Sequence, residues 1–275
     1  MKIKNHRLLQ DDDSPFSFIR SPNGGGKLNS QYLIIHYTAG SSAESTIEWL
    51  TNPAAKASVH LVIGKNGEIT QLMPFDTIAW HAGQSSWNGL GGMNKYSIGI
   101  ELDNAGKMIR ENNKWVSWFG TTYPDEEVLV AKHKNATEEA GWYIFTPQQL
   151  EACIDVSSLL IQKYGIKDVL GHDDISPFRK EDPGPAFPMS SVRSKVLGRR
   201  EDEPEIYQTT VTLNIREGAG TNFASLPEGP LPEGTKVEIL RVNQLWRFVD
   251  VLDTVNGSND LQGWVHGSFL RNVET

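Results

Sequence analysis

A single cysteine, Cys153, occurs in the 275 residues, so no disulfide can form within the chain and stability has to come from packing. Long apolar runs are missing as well. Nothing approaches the ~20 consecutive apolar residues that cross a bilayer as a helix, and no membrane span is expected. A basic surplus is also absent: the net charge is −8, and an acidic surface repels a phosphate backbone, which argues against nucleic acid as a partner. The start of the chain is polar, carries Asp11-Asp12-Asp13 and lacks the apolar centre of a signal peptide. Synthesis in the cytoplasm is therefore expected, with release by lysis or a non-classical route.

What the chain does contain is ordinary globular material. Hydrophobic residues make up 38% and charged residues 22%, enough for a core in one large domain or two ordinary ones. Tyr32-Leu33-Ile34-Ile35-His36-Tyr37 is a near-continuous apolar run, as in a strand covered on both faces, and it delivers His36 to the turn Thr38-Ala39-Gly40. A short helix is expected around 45–50. Lys65-Asn66-Gly67, between the β-rich runs 58–63 and 69–72, predicts a hairpin. In 96–102 a two-residue period puts Ser97, Gly99 and Glu101 on one face and Ile98, Ile100 and Leu102 on the other. Small residues then lie beneath a carboxylate and leave room for something to approach it.

Residues 105–145 carry charges and Trp115, Trp118 and Trp142 without a clear period. They are expected to form an irregular insertion that, following Glu101 directly, walls a groove. Thr146-Pro147-Gln148-Gln149 predicts a capped helix start, with Leu150, Cys153, Ile154, Ser157, Leu160, Ile161 and Tyr164 at helical spacing and Gly165 as the stop. Val169-Leu170-Gly171-His172 predicts a short strand running into a loop.

Three segments end on residues able to bind metal or move protons: His36, Glu101, and the stretch from His172 to Asp182. A catalytic zinc site takes three protein ligands and keeps a further position open, and two imidazoles with one carboxylate are a common set. His36 and His172 can supply the imidazoles, and Asp182, presented by Pro183-Gly184-Pro185, the carboxylate. Lys180 projects to the same side as Asp182 in an extended segment and could stabilise an oxyanion, while Glu101 would take a proton from attacking water. Plainer readings stand beside these. His36 can simply close a buried strand, Glu101 can form an ion pair at a strand end, and Lys180 can be a solvated lysine beside Arg179. His60 is expected to hydrogen-bond within the sheet, His81 to line the groove or brace the site, His133 to face solvent and Cys153 to pack inertly. Trp80, His81, Trp87 and Asn104 are candidates for substrate contact, although buried tryptophans are commoner than binding ones.

Taken in order, Tyr32 to Gly40, His60 to Pro74, Trp80-His81-Ala82-Gly83, Ser97 to Glu101, and Gly171-His172 through Asp182-Pro183-Gly184-Pro185-Ala186-Phe187 resemble the N-acetylmuramoyl-L-alanine amidases. That family also contains the peptidoglycan-recognition proteins, and the likeness is to its AmpD-type branch. It runs over 28–198 apart from 105–145. The resemblance implies an α/β fold with a mixed, mainly parallel central sheet flanked by helices. It also implies Zn2+ ligands at His36, His172 and Asp182, a catalytic glutamate at Glu101 and a transition-state lysine at Lys180. The implied reaction is hydrolysis of the amide between N-acetylmuramic acid and L-alanine, in peptidoglycan or muropeptides. Other branches place a cysteine at the third ligand, and many non-enzymatic recognition members lack a ligand. All five positions are filled here, which favours an enzyme over the alternative, a non-catalytic peptidoglycan-binding protein.

Residues 209–271 resemble a bacterial SH3-type domain through Val211-Thr212-Leu213-Asn214-Ile215-Arg216, Gly218-Ala219-Gly220, Gly234-Thr235-Lys236-Val237, Trp246 and Gly263-Trp264-Val265-His266. This implies a small all-β barrel that holds cell wall or packs against its neighbour. The organisation expected is a catalytic domain at 1–198, a charged linker at 199–206 and an SH3-like domain at 207–275.

Overall fold

The apolar run that ends in His36 becomes the strand Tyr32–Tyr37, buried along all but its last residue. Leu33 and Ile35 join one apolar layer, while Tyr32 and Ile34 join the other. The strand is central in a six-stranded sheet, the order being Asp168–Gly171, Tyr32–Tyr37, Ser97–Leu102, Leu61–Ile63, Ile69–Gln71 and Ser17–Phe18. All pairings are parallel except the hairpin around Asn66-Gly67, so the sheet is mixed and mainly parallel, as expected. This is a computed structural model, and it describes residues 1–198, 206–258 and 261–273. Apart from Ile206, the linker expected at 199–206 lies outside the described residues.

Helices cover both faces. Pro147–Tyr164 lays Cys153, Val156 and Leu160 against Leu33, Ile35, Ile98 and Ile100, and Met189–Leu197 adds Val192 to the same core. On the opposite face, Ala43–Thr51 buries Ala43 and Leu50 against Val59, Val62 and Leu72. Cys153 is fully buried and its thiol is pushed up to about 12 by that burial, which fits inert packing.

Residues 105–145 correct the expectation of irregular chain. They form a second, antiparallel sheet of five strands, in the order Thr122–Tyr123, Lys114–Ser117, Lys107–Glu111, Glu139–Tyr143 and Val128–Lys132. Its hairpin at Asn112-Asn113 has positive φ at both asparagines, the geometry of a two-residue hairpin turn. One face buries Met108, Trp115 and Val128, and the other sends Leu129 and Trp142 into the main core, so apolar residues fall on both faces and no two-residue period shows. Beyond residue 205 a third sheet of five antiparallel strands, Ile206–Thr209, Lys236–Asn243, Trp246–Val251, Leu261–His266 and Leu270–Asn272, closes over its own core of Leu213, Ile215, Val237, Val249 and Val265.

Thr146 ties two of these parts together. Its hydroxyl accepts from the Gln149 N–H to cap the long helix and donates to the Lys65 carbonyl in the hairpin, while the Gln149 side chain accepts from the Thr146 N–H. Thr146→Ala loses the cap and the tether together and should destabilise the chain by about 1–2 kcal/mol in urea titration. A change within the fitting error would mean that the cap contributes nothing.

Candidate metal centre

Parallel pairing sets Glu101 level with His36 and Gly171 level with Ile35. His36, Glu101 and His172 therefore leave the carboxyl ends of three neighbouring strands, where open α/β sheets place their ligands. His172 does not run into a loop, as the sequence implied. It opens a single helical turn, His172–Ile175, and the chain then doubles back so that the Asp173 N–H donates to the Asp182 carbonyl.

Three donor atoms converge as a result. His36 Nδ1 lies 3.0 Å from His172 Nδ1 and 2.8 Å from Asp182 Oδ2, and His172 Nδ1 lies 3.0 Å from the same oxygen. The outer nitrogens of both rings are committed elsewhere. His172 Nε2 donates to the Ala82 carbonyl at 3.1 Å, while the donor-only Arg179 Nη2, 3.3 Å away, is served by the Ala82 and Gln84 carbonyls and the Ser176 hydroxyl, which leaves His172 Nδ1 a bare lone pair. A relay settles His36 in the same way. His81 Nε2 donates to the Ser97 carbonyl, so His81 Nδ1 accepts, and His36 Nε2 is its donor. A proton could serve only one of the three short contacts, whereas one cation serves them all. His36, His172 and Asp182 form the group able to hold a metal ion among the described residues, and the donor set suits zinc.

The charge states agree with this geometry. Burial, reinforced by His172, holds the His36 ring down to about 4, so it is neutral at ordinary pH. Burial alone would raise the Asp182 carboxyl, but its close contacts with His172 and His36 outweigh it and hold the group well below the usual carboxylate range. Glu101 goes the other way: burial and the negative Asp182 push it well up, against a smaller pull from Lys180. Its Oε2 is sealed from solvent and has no hydrogen-bond partner.

Glycine and histidine make this possible together. A Cβ on Gly99 would come within 2.6 Å of the His81 ring, so what approaches beneath Glu101 is His81 itself. His60 is held inside the sheet, accepting from the Gly99 N–H and donating to the Thr77 carbonyl, as expected.

The centre opens into a cleft of about 470 Å³ lined by Thr38, Trp80, His81, Glu101, Phe178 and Lys180. Trp80 stands half-exposed on its rim and Lys180 faces the same space, so these two sequence candidates reach the cleft. Two others do not. Asn104 is fully buried and its amide is spent on the Tyr143 and Ile144 carbonyls and the Gly106 N–H, bracing the end of the Glu101 strand. Trp87 packs against the apolar cluster of Tyr32, Ile34 and Ala82, away from the opening. The 105–145 segment also fails to line the cleft; its Trp118, largely exposed, touches the edge by donating to the Ala39 carbonyl.

What that segment does was missed. His133, expected to face solvent, is buried, stacks on Trp142 and donates to Asp173 Oδ2 at 2.9 Å. Lys107 pairs with Glu181, and Trp142 fills the space that a Cβ on Gly184 would need. The second sheet thus clamps the segment carrying His172 and Asp182 from behind. Phe178 was missed too: it is 85% exposed at the cleft mouth with φ of 65°, a left-handed conformation that a bulky residue adopts only when its surroundings impose it. No periodicity marks such a position.

Comparison with known proteins follows the same outline. Residues 26–185 match the family model described as N-acetylmuramoyl-L-alanine amidase. N-acetylmuramoyl-L-alanine amidase AmiD of Escherichia coli strain K12 is 33% identical over 183 residues, covering 63% of this chain and 56% of that protein. 1,6-Anhydro-N-acetylmuramyl-L-alanine amidase AmpD of the same strain is 35% identical over 140 residues, covering 50% of this chain and 57% of that protein. The solved complex of E. coli AmiD with anhydro-N-acetylmuramic acid-L-Ala-D-γ-Glu-L-Lys is 32% identical, covers 62% of this chain and 58% of its own, and superposes with a TM-score of 0.47. The chain spans little more than half the length of these curated relatives.

Gly99→Ala should displace His81, release the His36 tautomer and weaken metal binding about 10–100-fold in competition with a chelator. Unchanged affinity would show that the relay does not orient His36. A second expectation concerns acid. Burial also holds His60 down to about 4. Between the ordinary histidine value of ~6.5 and about 4 the unfolded chain binds protons that the folded chain refuses, so metal-free stability falls as pH drops through that window. The raised Glu101 carboxyl opposes this, so the clean measurement is the thermal midpoint of metal-free Glu101→Gln from pH 6.5 to 4.5. A flat profile would contradict buried, neutral histidines.

Proposed function

Because the chain belongs to the N-acetylmuramoyl-L-alanine amidase family, we propose that it hydrolyses the amide joining N-acetylmuramic acid to L-alanine in peptidoglycan or muropeptides. The observation that carries this reading is a set of three converging lone pairs beside a buried carboxylate oxygen with no partner, at the floor of one cleft. In this proposal His36 Nδ1, His172 Nδ1 and Asp182 Oδ2 hold zinc. Bound there, zinc supplies Lewis acidity, polarising the scissile carbonyl and making water acidic enough to attack near neutral pH.

The chain's own groups do the rest. Glu101 accepts the proton of the attacking water and returns it to the leaving nitrogen, a task that its elevated pKa suits. Lys180, which has no ion pair among the described residues, places its ammonium where the carbonyl oxygen becomes an oxyanion. Trp80 and Phe178 flank the opening and offer ring faces to sugar or peptide. A recognition protein without activity would have no need to keep an uncompensated carboxylate beside the metal group, and that disfavours the non-catalytic alternative.

The division into 1–198 and 207–275 is part of the proposal. Five antiparallel strands over a separate core support an SH3-like barrel in the second unit, whose role would be to hold substrate.

Digestion of muropeptides by the zinc-loaded chain should release stem peptides with N-terminal alanine, identified by mass spectrometry, and a chelator should stop it. Products with only glycosidic bonds cut would refute the assignment. Glu101→Gln should lower kcat by roughly 10²–10⁴-fold while keeping its metal, and its thermal midpoint should hold or rise, because an unpaired buried carboxylate is removed.

A further inference from the structure

Outside the cleft, one partly buried cation, Arg241, has no hydrogen-bond or ion-pair partner among the described residues. It lies on the strand Lys236–Asn243, where the register shifts between Ile239 and Arg241, and a bulge of that kind re-aims the neighbouring side chain. Its guanidinium is seated 3.9 Å from the centre of the Phe248 ring and 5.7 Å from that of Trp264. Among the described residues no carboxylate or carbonyl accepts any of its N–H groups. Burial alone draws its pKa down to about 10. Ring stacking orients the guanidinium plane but leaves the donors at its edge unused.

Those donors border a cavity of about 360 Å³ between the sheet of 107–143 and the third sheet, within the size range of small-ligand sites, ~300–1,000 Å³. Trp115, Trp246, Trp264 and Phe223 supply its aromatic walls. Arg110, at its mouth, already has a partner in Asp125 at 3.5 Å. Arg241 does not. A partly buried guanidinium with a rigid, planar set of free donors, walled by aromatic rings, matches one ligand chemistry: a carboxylate attached to a partly apolar body.

We propose that this cavity binds a peptide through its carboxylate, with Arg241 as the anchoring residue. Naming the peptide as a cell-wall stem rests on the amidase reading; the pocket does not. The two sheets that line it belong to the metal-bearing half and to the C-terminal unit, so a bound stem would bridge them and hold the polymer while the cleft works on a neighbouring strand.

The test uses the full chain labelled with 15N; a free stem peptide carries no muramoyl amide, so the probe stays intact. The Arg241 Nε and the Trp246 and Trp264 indole resonances are followed while adding a free stem tetrapeptide, the same peptide with its carboxylates amidated, or inorganic phosphate. Saturable shifts with the free peptide are expected, at least tenfold weaker binding with the amidated one, and none at these resonances with phosphate at matched concentration. Arg241→Met should abolish the shifts and leave the thermal midpoint unchanged or higher. Equal binding of the amidated peptide, persistence in Arg241→Met, saturation by phosphate, or no saturable shift would each overturn the proposal. The amidated comparison needs no variant at position 241, so a misfolded Arg241→Met would not rescue the idea. Failure of the amidase reading would show separately, as a native chain that releases no alanine-terminated peptide.

Discussion

Two imidazole lone pairs and a carboxylate oxygen within about 3 Å of one another repel unless positive charge lies between them, and the molecule is organised around holding them there. Each has a different anchor. His36 is rooted in a strand buried along all but its last residue, and its tautomer is dictated through His81 by a main-chain carbonyl that cannot donate. His172 is fixed by another carbonyl, that of Ala82. Asp182 depends on a segment without regular structure, and it needs the most help.

That help comes from the inserted sheet. A segment of irregular chain has no ladder of its own to resist displacement, so its rigidity must be borrowed. His133 meets Asp173 one residue after one donor, Lys107 meets Glu181 one residue before another, and Trp142 lies under Gly184 two residues beyond. The His133–Asp173 contact is buried and stacked, while the Lys107–Glu181 pair is half-exposed and contributes ~0–1 kcal/mol at most. The buried contact therefore dominates. An insertion that looks ornamental in the sequence acts as the back wall of the metal centre, not the front wall of the groove.

How much was legible follows from what periodicity can report. The central strand, the Asn66-Gly67 hairpin, the capping box at Thr146 and the glycine stop at Gly165 are local features, each decided by a few neighbouring residues, and all are present. The donors His36, His172 and Asp182 were legible as chemistry, and the face shared by Ser97, Gly99 and Glu101 marked the space that His81 fills. The inserted sheet escaped notice because both of its faces bury apolar residues, which erases the alternation, although Asn112-Asn113 was a turn signal in plain view. His133 and Asn104 were misjudged for a common reason: burial of a polar side chain is decided by partners distant in sequence, Asp173 for one and the 143–144 backbone for the other. Nothing local announces such a partner.

Burial without compensation is what separates functional charge from structural charge in this chain. Most charged groups here either face solvent or have a partner, and the pairs at the surface are nearly neutral in stability. Glu101 Oε2 is sealed and unmatched, and Arg241 sits against two rings with its donors unused. Folding gains nothing from the unmet Glu101 oxygen, which lowers stability relative to a neutral residue of the same shape by an amount of the order of 1–3 kcal/mol, whereas Arg241 gains from its rings and leaves its edge donors unused. Arg7 Nε and Asp103 Oδ1 are also buried without a partner but line neither cavity, whereas Glu101 and Arg241, opposite in sign, stand at the edges of two separate cavities. At Glu101 no packing benefit offsets the unmet oxygen; at Arg241 the ring contacts account for the seat of the guanidinium but not for the unused donors at its edge. On the proposed reading, the deficit at each is the complement of a ligand: a proton-bearing nucleophile at Glu101, an anion at Arg241.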